Sequence, residues 1–218
     1  MVDAVIFDLD GVIVDSEPVW EVVRRKYVAD HGGRWQPDTQ QRLMGMSTGE
    51  WAEYLSGELG VGVPPERVAT EVVDEMARRY LDHLPLIPGT DEVVRRLARR
   101  WPLGLASSSP QRLIEATLEA AGLTGEFKAA LSSEAVARGK PAPDVYLAVA
   151  GRMGIDPTRI VAVEDSSNGV RSADAAGMRV VAVPHERYPL DEDASRRPVL
   201  TLTKLTDLTD QAVAGLGT

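Results

Sequence analysis

Asp8 and Asp10 stand one residue apart, directly after the apolar run Ala4–Phe7 and directly before Gly11. The run reads as a short buried strand. If strand geometry persists to Asp10, both carboxylates leave on the same face, because side chains alternate along a strand. Like charges held that close repel unless a cation lies between them or one carries a proton. The pair is therefore a reactive or metal-holding unit, or else a turn that closes the strand, as Asp-Gly often does. Similar polar clusters follow other apolar runs. Ser107, Ser108 and Ser109 come after 103–106, and Glu164 and Asp165 come after 160–163. Lys140 lies in an otherwise uncharged Gly-Lys-Pro-Ala-Pro stretch on the way to the latter. Taken singly, the serines could cap the helix starting near Pro110, Lys140 could be an ordinary exposed lysine, and Asp165 and Asn168 could be turn or cap residues.

The elements that position these residues follow from periodicity. Ser16-Glu17-Pro18 suits a helix start with proline in its first turn. Val19, Trp20, Val23 and Tyr27 then share a helical face, and Gly32-Gly33 stops it. A second helical piece spans about 37–44, and 45–49 reads as a small flexible loop. Trp51, Tyr54, Leu55 and Leu59 mark a third helix; Val68, Val72, Met76, Tyr80 and Leu84 mark a fourth. Four amphipathic helices in sequence bury their faces only against one another. Beyond 87 the grammar changes to helices alternating with short apolar strands near 103–106, 129–131, 160–163 and 180–183. An edge strand at 199–202 and a last helix over 204–215 follow. That alternation predicts right-handed βαβ units, hence a parallel sheet with helices on both faces. The expected fold is α/β, a Rossmann-like core of residues 1–15 and 87–218, with an inserted all-α cap, a four-helix bundle, at 16–86. Ligands of such sheets bind beyond the carboxyl ends of the strands, where Asp8, Asp10, Ser107, Glu164 and Asp165 all fall. The cap insertion hangs over the same edge.

Composition narrows the function. The 218 residues are 44% hydrophobic and 26% charged, as in a soluble globular protein. Net charge is −9 with no basic stripe, which disfavours a nucleic acid partner. No run approaches the length of a membrane span, and the first residues do not read as a secretory signal. A cytoplasmic protein, monomeric or weakly dimeric, is expected. The absence of cysteine excludes disulfides, thiolate metal sites and cysteine nucleophiles. His31, His83 and His185 lack metal-ligand spacing.

Four separated motifs, FDLDGVIVDSEP (7–18), LASSSP (105–110), GKPAPD (139–144) and VEDSSNGV (163–170), resemble those of the haloacid dehalogenase superfamily. Within it the chain looks like the branch of small phosphatases and β-phosphoglucomutases with a helical cap after the first strand. The resemblance implies that Asp8 is a nucleophile forming an aspartyl-phosphate and that Asp10 is the acid and base. It implies Mg²⁺ held by the Asp8 carboxylate, the Asp10 carbonyl and Asp165, with Glu164 as ligand or support. Ser107 and the N–H of Ser108 would hold the phosphate, and Lys140 would neutralise it and tether Asp8.

Asp10 argues against a dehalogenase, whose motif resembles D-x-Y. A phosphonatase calls for a Schiff-base lysine in the cap, and the sole cap lysine, Lys26, is flanked on the N-terminal side by arginines. The mutases resembled carry a histidine and a cap arginine at positions matching Trp20 and Thr48. The Asp15-to-Pro18 start looks more like sugar-phosphate phosphatases. Mg²⁺-dependent hydrolysis of a small phosphomonoester is therefore expected, with mutase-type phosphoryl transfer as the alternative and a non-enzymatic binding module behind it. Substrate would be read by Glu17, Trp20 and the Met44-to-Thr48 loop, Met46 and Thr48 among them, with Gly45 and Gly49 as hinges.

Overall fold

The computed structural model describes residues 1–43 and 46–217. Its six strands are β1 (Ala4–Phe7), β2 (Leu103–Ser107), β3 (Phe127–Ser132), β4 (Ile160–Glu164), β5 (Arg179–Ala182) and β6 (Leu200–Thr201). They form one sheet in the order β3-β2-β1-β4-β5-β6, every neighbouring pair parallel. The order reverses at β1. Phe7 pairs with Leu105 on one side and Val163 on the other, so β1, β2 and β4 end level beside the topological switch point where such sheets bind ligands.

Alternation along β1 builds two cores. Val5 and Phe7 face one apolar cluster, with Val93, Val94 and Leu97 of helix α5 (Thr90–Ala98) and Ile114 and Leu118 of α6 (Gln111–Ala120). Ala4 and Ile6 face the other, with Val145, Tyr146 and Val149 of α7 (Asp144–Met153) and Val170 and Ala173 of α8 (Ser167–Ala175). A strand buried on both faces reads as a continuous apolar run rather than an alternating one, which is what 4–7 shows.

Between β1 and β2 the chain inserts α1 (Glu17–Asp30), α2 (Thr39–Leu43), α3 (Thr48–Ser56) and α4 (Pro65–Asp82) ahead of α5. These four have their own apolar cluster, centred on Trp20, Trp51, Leu55, Val72, Met76 and Tyr80, which also takes in Leu113 of α6. The two chains entering and leaving the insert run side by side. The Asp15 N–H donates to the Pro85 carbonyl at 2.9 Å, the Ile87 N–H donates to that of Ile13 at 3.0 Å, and Val14 bridges Leu86. Arg112 of α6 ion-pairs with Asp74 of α4, beside the apolar contact.

Three local expectations need correction. Helix α3 begins at Thr48, not near Trp51, because Ser47 and Glu50 form a reciprocal capping box. Thr48 and Gly49 therefore belong to a helix rather than to the 45–49 loop, and Gly49 is not a loop hinge. Met44 and Gly45 lie outside the described residues. The segment 204–215 is not one helix: a 3₁₀ turn at Leu205–Asp207 is followed by a break at Thr209, whose hydroxyl accepts from the Ala212 N–H and starts a separate α9 (Asp210–Gly215).

Candidate active site

Asp8 follows β1 directly, and its N–H donates to the Val163 carbonyl of β4 at 2.9 Å, so the ladder aims its carboxylate at the sheet edge. The Lys140 ammonium reaches from the loop before α7 to within 2.9 Å of Asp8 Oδ1 and 2.6 Å of Glu164 Oε1. Glu164 closes β4, fully buried, and both its oxygens are occupied. Oε1 accepts from Lys140 and from the Tyr146 hydroxyl at 2.8 Å; Oε2 accepts from the Asp165 and Ser166 N–H groups and the Ser166 hydroxyl. Gly169, in the first turn of α8, lies against this carboxylate so closely that any Cβ would collide with it. Gly11 has φ +77°, a left-handed conformation suited to glycine, and a Cβ there would strike the Asp165 carboxylate.

Asp10 is held by two hydroxyls on one oxygen. Ser109 Oγ donates to Asp10 Oδ2 at 2.8 Å and Ser107 Oγ at 3.2 Å, while Ser107 Oγ accepts from the Ser109 N–H at 2.9 Å. Asp10 Oδ1 is buried and has no partner. The serines therefore do not cap α6, which starts from Pro110 without a side-chain cap. Their hydroxyls serve the aspartate.

The acidic cluster could hold a metal ion. Oxygens of Asp8, Glu164 and Asp165 lie within 4.8 Å of one another, and the Lys140 ammonium pairs with the first two. Burial, then the Glu164 charge, raises the Asp8 carboxyl to about 8 against the pull of Lys140. Burial and the charges of Glu164 and Asp8 push Asp165 well above its ordinary value too. Burial pulls the Lys140 ammonium down, but Asp8 and Glu164 outweigh it and hold it above its ordinary value. A cation placed among these acids would favour the charged forms of the Asp8 and Asp165 carboxyls. A hard, all-oxygen donor set fits Mg²⁺.

A cavity of about 370 Å³ opens over these residues, lined by Asp8, Asp10, Ser108, Lys140 and Asp165 together with Asn168 and His185. A smaller one of about 120 Å³ adjoins it under the insert, and Asp10, Glu17 and Ser108 line both. The second cavity gathers Glu17, Trp20, Met46, Thr48 and Ser108 around Asp10; of the other residues expected to meet substrate, Lys140 lines the first cavity and Ser107 lines neither. It adds Trp51 and Ser109, read from sequence as a helix-face residue and a possible helix cap, and Arg24, which the sequence reading did not single out. Trp20 and Arg24 are four residues apart in α1, so their shared face was readable from spacing; the tryptophan alone drew notice. Glu17 accepts from Gln40 Nε2 at 2.8 Å. Burial pushes its carboxyl up, Arg24 pulls it down, and Asp10 pushes it up again.

The profile of the haloacid dehalogenase-like hydrolases matches residues 5–183. The chain is similar to hexitol phosphatase B of Escherichia coli, 34% identical over 213 residues that make up 95% of this chain and 93% of that one. It is similar also to phosphorylated carbohydrates phosphatase of Thermotoga maritima, 33% identical over 185 residues, 84% of this chain and 86% of that one. Among solved structures, that of CbbY from Rhodobacter sphaeroides in complex with phosphate superposes with a TM-score of 0.82. The match covers 98% of this chain and 100% of that one at 25% identity. No helix among the described residues is long and apolar enough to cross a membrane.

Proposed function

The chain belongs to the haloacid dehalogenase-like hydrolases, and from that premise we propose that it hydrolyses the monophosphate ester of a small sugar or related metabolite. The observation that carries this reading is the division of labour between two neighbouring carboxylates. Asp8 is pinned by Lys140 among acids, and Asp10 is pinned by hydroxyls with one oxygen left open. An Asp8 oxygen attacks phosphorus, and the bond from phosphorus to the ester oxygen breaks. Asp10, carrying a proton on Oδ1, gives it to the departing alkoxide, so that an alcohol leaves. Water then attacks the aspartyl-phosphate, Asp10 takes its proton back, and phosphate and free Asp8 result. Asp8, Asp165 and the Asp10 carbonyl would hold Mg²⁺, which would supply positive charge to the phosphoryl oxygens and to the crowded carboxylates. Glu164, with an oxygen within 4.8 Å of those of Asp8 and Asp165, would serve that site as a ligand or support it through Lys140.

Ser107 exchanges its longer bond to Asp10 for one to a phosphate oxygen, joined by the Ser108 N–H, while Ser109 keeps Asp10 in place. Lys140 neutralises the transferring group. The similarity to a hexitol phosphatase and a phosphorylated carbohydrates phosphatase supports a sugar or polyol phosphate as substrate. A panel of sugar and polyol phosphates assayed for phosphate release with and without Mg²⁺ tests the proposal. Metal-dependent release on at least one member is expected; its absence across the panel refutes hydrolysis.

A further inference from the structure

Arg24 takes no part in the chemistry above, yet it is one of the most deeply buried charges in the protein, 5% exposed. Its guanidinium carbon lies 4.3 Å from the Trp20 ring centroid and 4.9 Å from that of Trp51. The two rings hold its faces but offer no acceptor to the N–H groups at its edge. Arg24 makes no hydrogen bond and no ion pair with any described residue, and its buried Nε is unpartnered. Burial pulls the guanidinium down to about 10, with Glu17 and Asp10 drawing it back up. A buried cation without acceptors is costly to fold, so a group that arrives in the cavity has much to gain by supplying them.

The cavity also shows what kind of group that is. Glu17 lines it, bonded to Gln40 through one oxygen only. Arg24 and Glu17 together carry no net charge. A second anionic group on the substrate would tip the balance negative beside Asp10, which lines the same space. Hydroxyl groups suit both residues, accepting from the guanidinium and donating to the carboxylate. The volume, about 120 Å³, is far below the ~300–1,000 Å³ of sites for drug-sized ligands, which favours a short chain over a nucleoside or flavin.

We infer that Arg24, with Glu17, binds the hydroxyls of a neutral polyol chain attached to the substrate's phosphate and sets specificity for polyol monophosphates over bisphosphates and phosphorylated acids. The inference rests on the phosphatase reading above. It is tested on the full chain with Mg²⁺ using sorbitol 6-phosphate, propyl phosphate, 2-phosphoglycolate and glucose 1,6-bisphosphate. Sorbitol 6-phosphate is expected to be the best of the four. In Arg24→Met the ratio of its kcat/KM to that of propyl phosphate falls roughly 10- to 150-fold, the worth of a hydrogen bond to a charged group. Arg24→Lys keeps the charge but loses the planar fork, so it loses an intermediate share; it carries the test alone if Arg24→Met does not fold. A ratio unchanged within threefold overturns the inference. So does a wild-type preference for the bisphosphate or phosphoglycolate that is lost with Arg24. Turnover of none of the four removes the phosphatase reading and the inference with it, whereas turnover indifferent to Arg24 removes the inference alone.

Discussion

Lys140 and Arg24 are both buried cations that line adjoining cavities, and the fold treats them in opposite ways. Lys140 sits between Asp8 and Glu164, over the ring of Tyr146, and the acid it neutralises is satisfied in turn by Tyr146, Ser166 and backbone N–H groups. Arg24 has two indole faces and no acceptor. Polar groups at the strand ends find partners within the chain before any ligand arrives, apart from the oxygens that face the reaction. The cap cavity is left incomplete. Preorganised groups at the strand ends do not have to reorganise during the reaction, which is where electrostatic catalysis gains most. Unsatisfied groups in the cap convert the arrival of the right substrate into binding energy, and an ill-fitting one leaves them unpaired.

The sharpest way to break this contrast is Asp8→Asn. The amide cannot attack phosphorus, so kcat should fall by about 10⁴-fold or more, while the cap still binds substrate. KM or a directly measured Kd for the best substrate should stay within a few-fold of wild type. A variant that retains a tenth of its turnover would remove Asp8 as nucleophile; one that loses binding as well as turnover would show that the two regions are not separable.

A smaller effect concerns stability. In the folded chain the Asp8 carboxyl holds its proton up to about pH 8, against an ordinary value of 3.8. Between those values the folded state binds more protons than the unfolded one, so this group's contribution falls as pH rises through that window. Without metal, the Tm of Asp8→Asn minus that of wild type should therefore widen from pH 4 to pH 8. Exposed acids such as Asp191, held at about 2 chiefly by Arg171, act in the opposite sense but are common to both proteins and cancel. Mg²⁺ competes with these protons, so its stabilisation of wild type should grow with pH. At a hundredfold excess over Kd it should reach about 5–10 °C, to judge from ~2.7 kcal/mol of linkage and the usual slope at this chain length. A difference in Tm that stays flat with pH would refute the picture of a crowded carboxylate cluster.

The same two regions differ in how well the sequence displays them. Asp8, Ser107 and Glu164 each stand at the end of an unbroken apolar run, and strand pairing brings such ends together without further information. Lys140 was legible from its isolation in a proline-rich loop. Arg24 was hidden because an arginine among Arg24, Arg25 and Lys26 reads as part of a solvated helix face, and only tertiary packing shows that Trp51 of another helix covers it. Tyr146 was hidden in the same way, as an apolar-face residue of α7 whose hydroxyl happens to meet Glu164. The start of α3 was legible after all, in Ser47-x-x-Glu50, a signal stronger than the loop that Gly45 and Gly49 suggested. The separation of α9 depends on one threonine cap that competes with an otherwise continuous helical pattern.

Ser109 gives the finest test, because it belongs to the strand-end region yet also lines the cap cavity. Its hydroxyl makes the shorter of the two bonds to Asp10 Oδ2, and Ser107 makes the other. If Ser109 only orients Asp10, Ser109→Ala should lower kcat roughly 2- to 12-fold, the worth of one hydrogen bond. The loss should be the same factor for sorbitol 6-phosphate and for propyl phosphate, since the proton-transfer step is common to both. A loss confined to the polyol substrate would instead make Ser109 a reader of hydroxyls beside Arg24, and the boundary between preorganised chemistry and open recognition would then run through Ser109 itself.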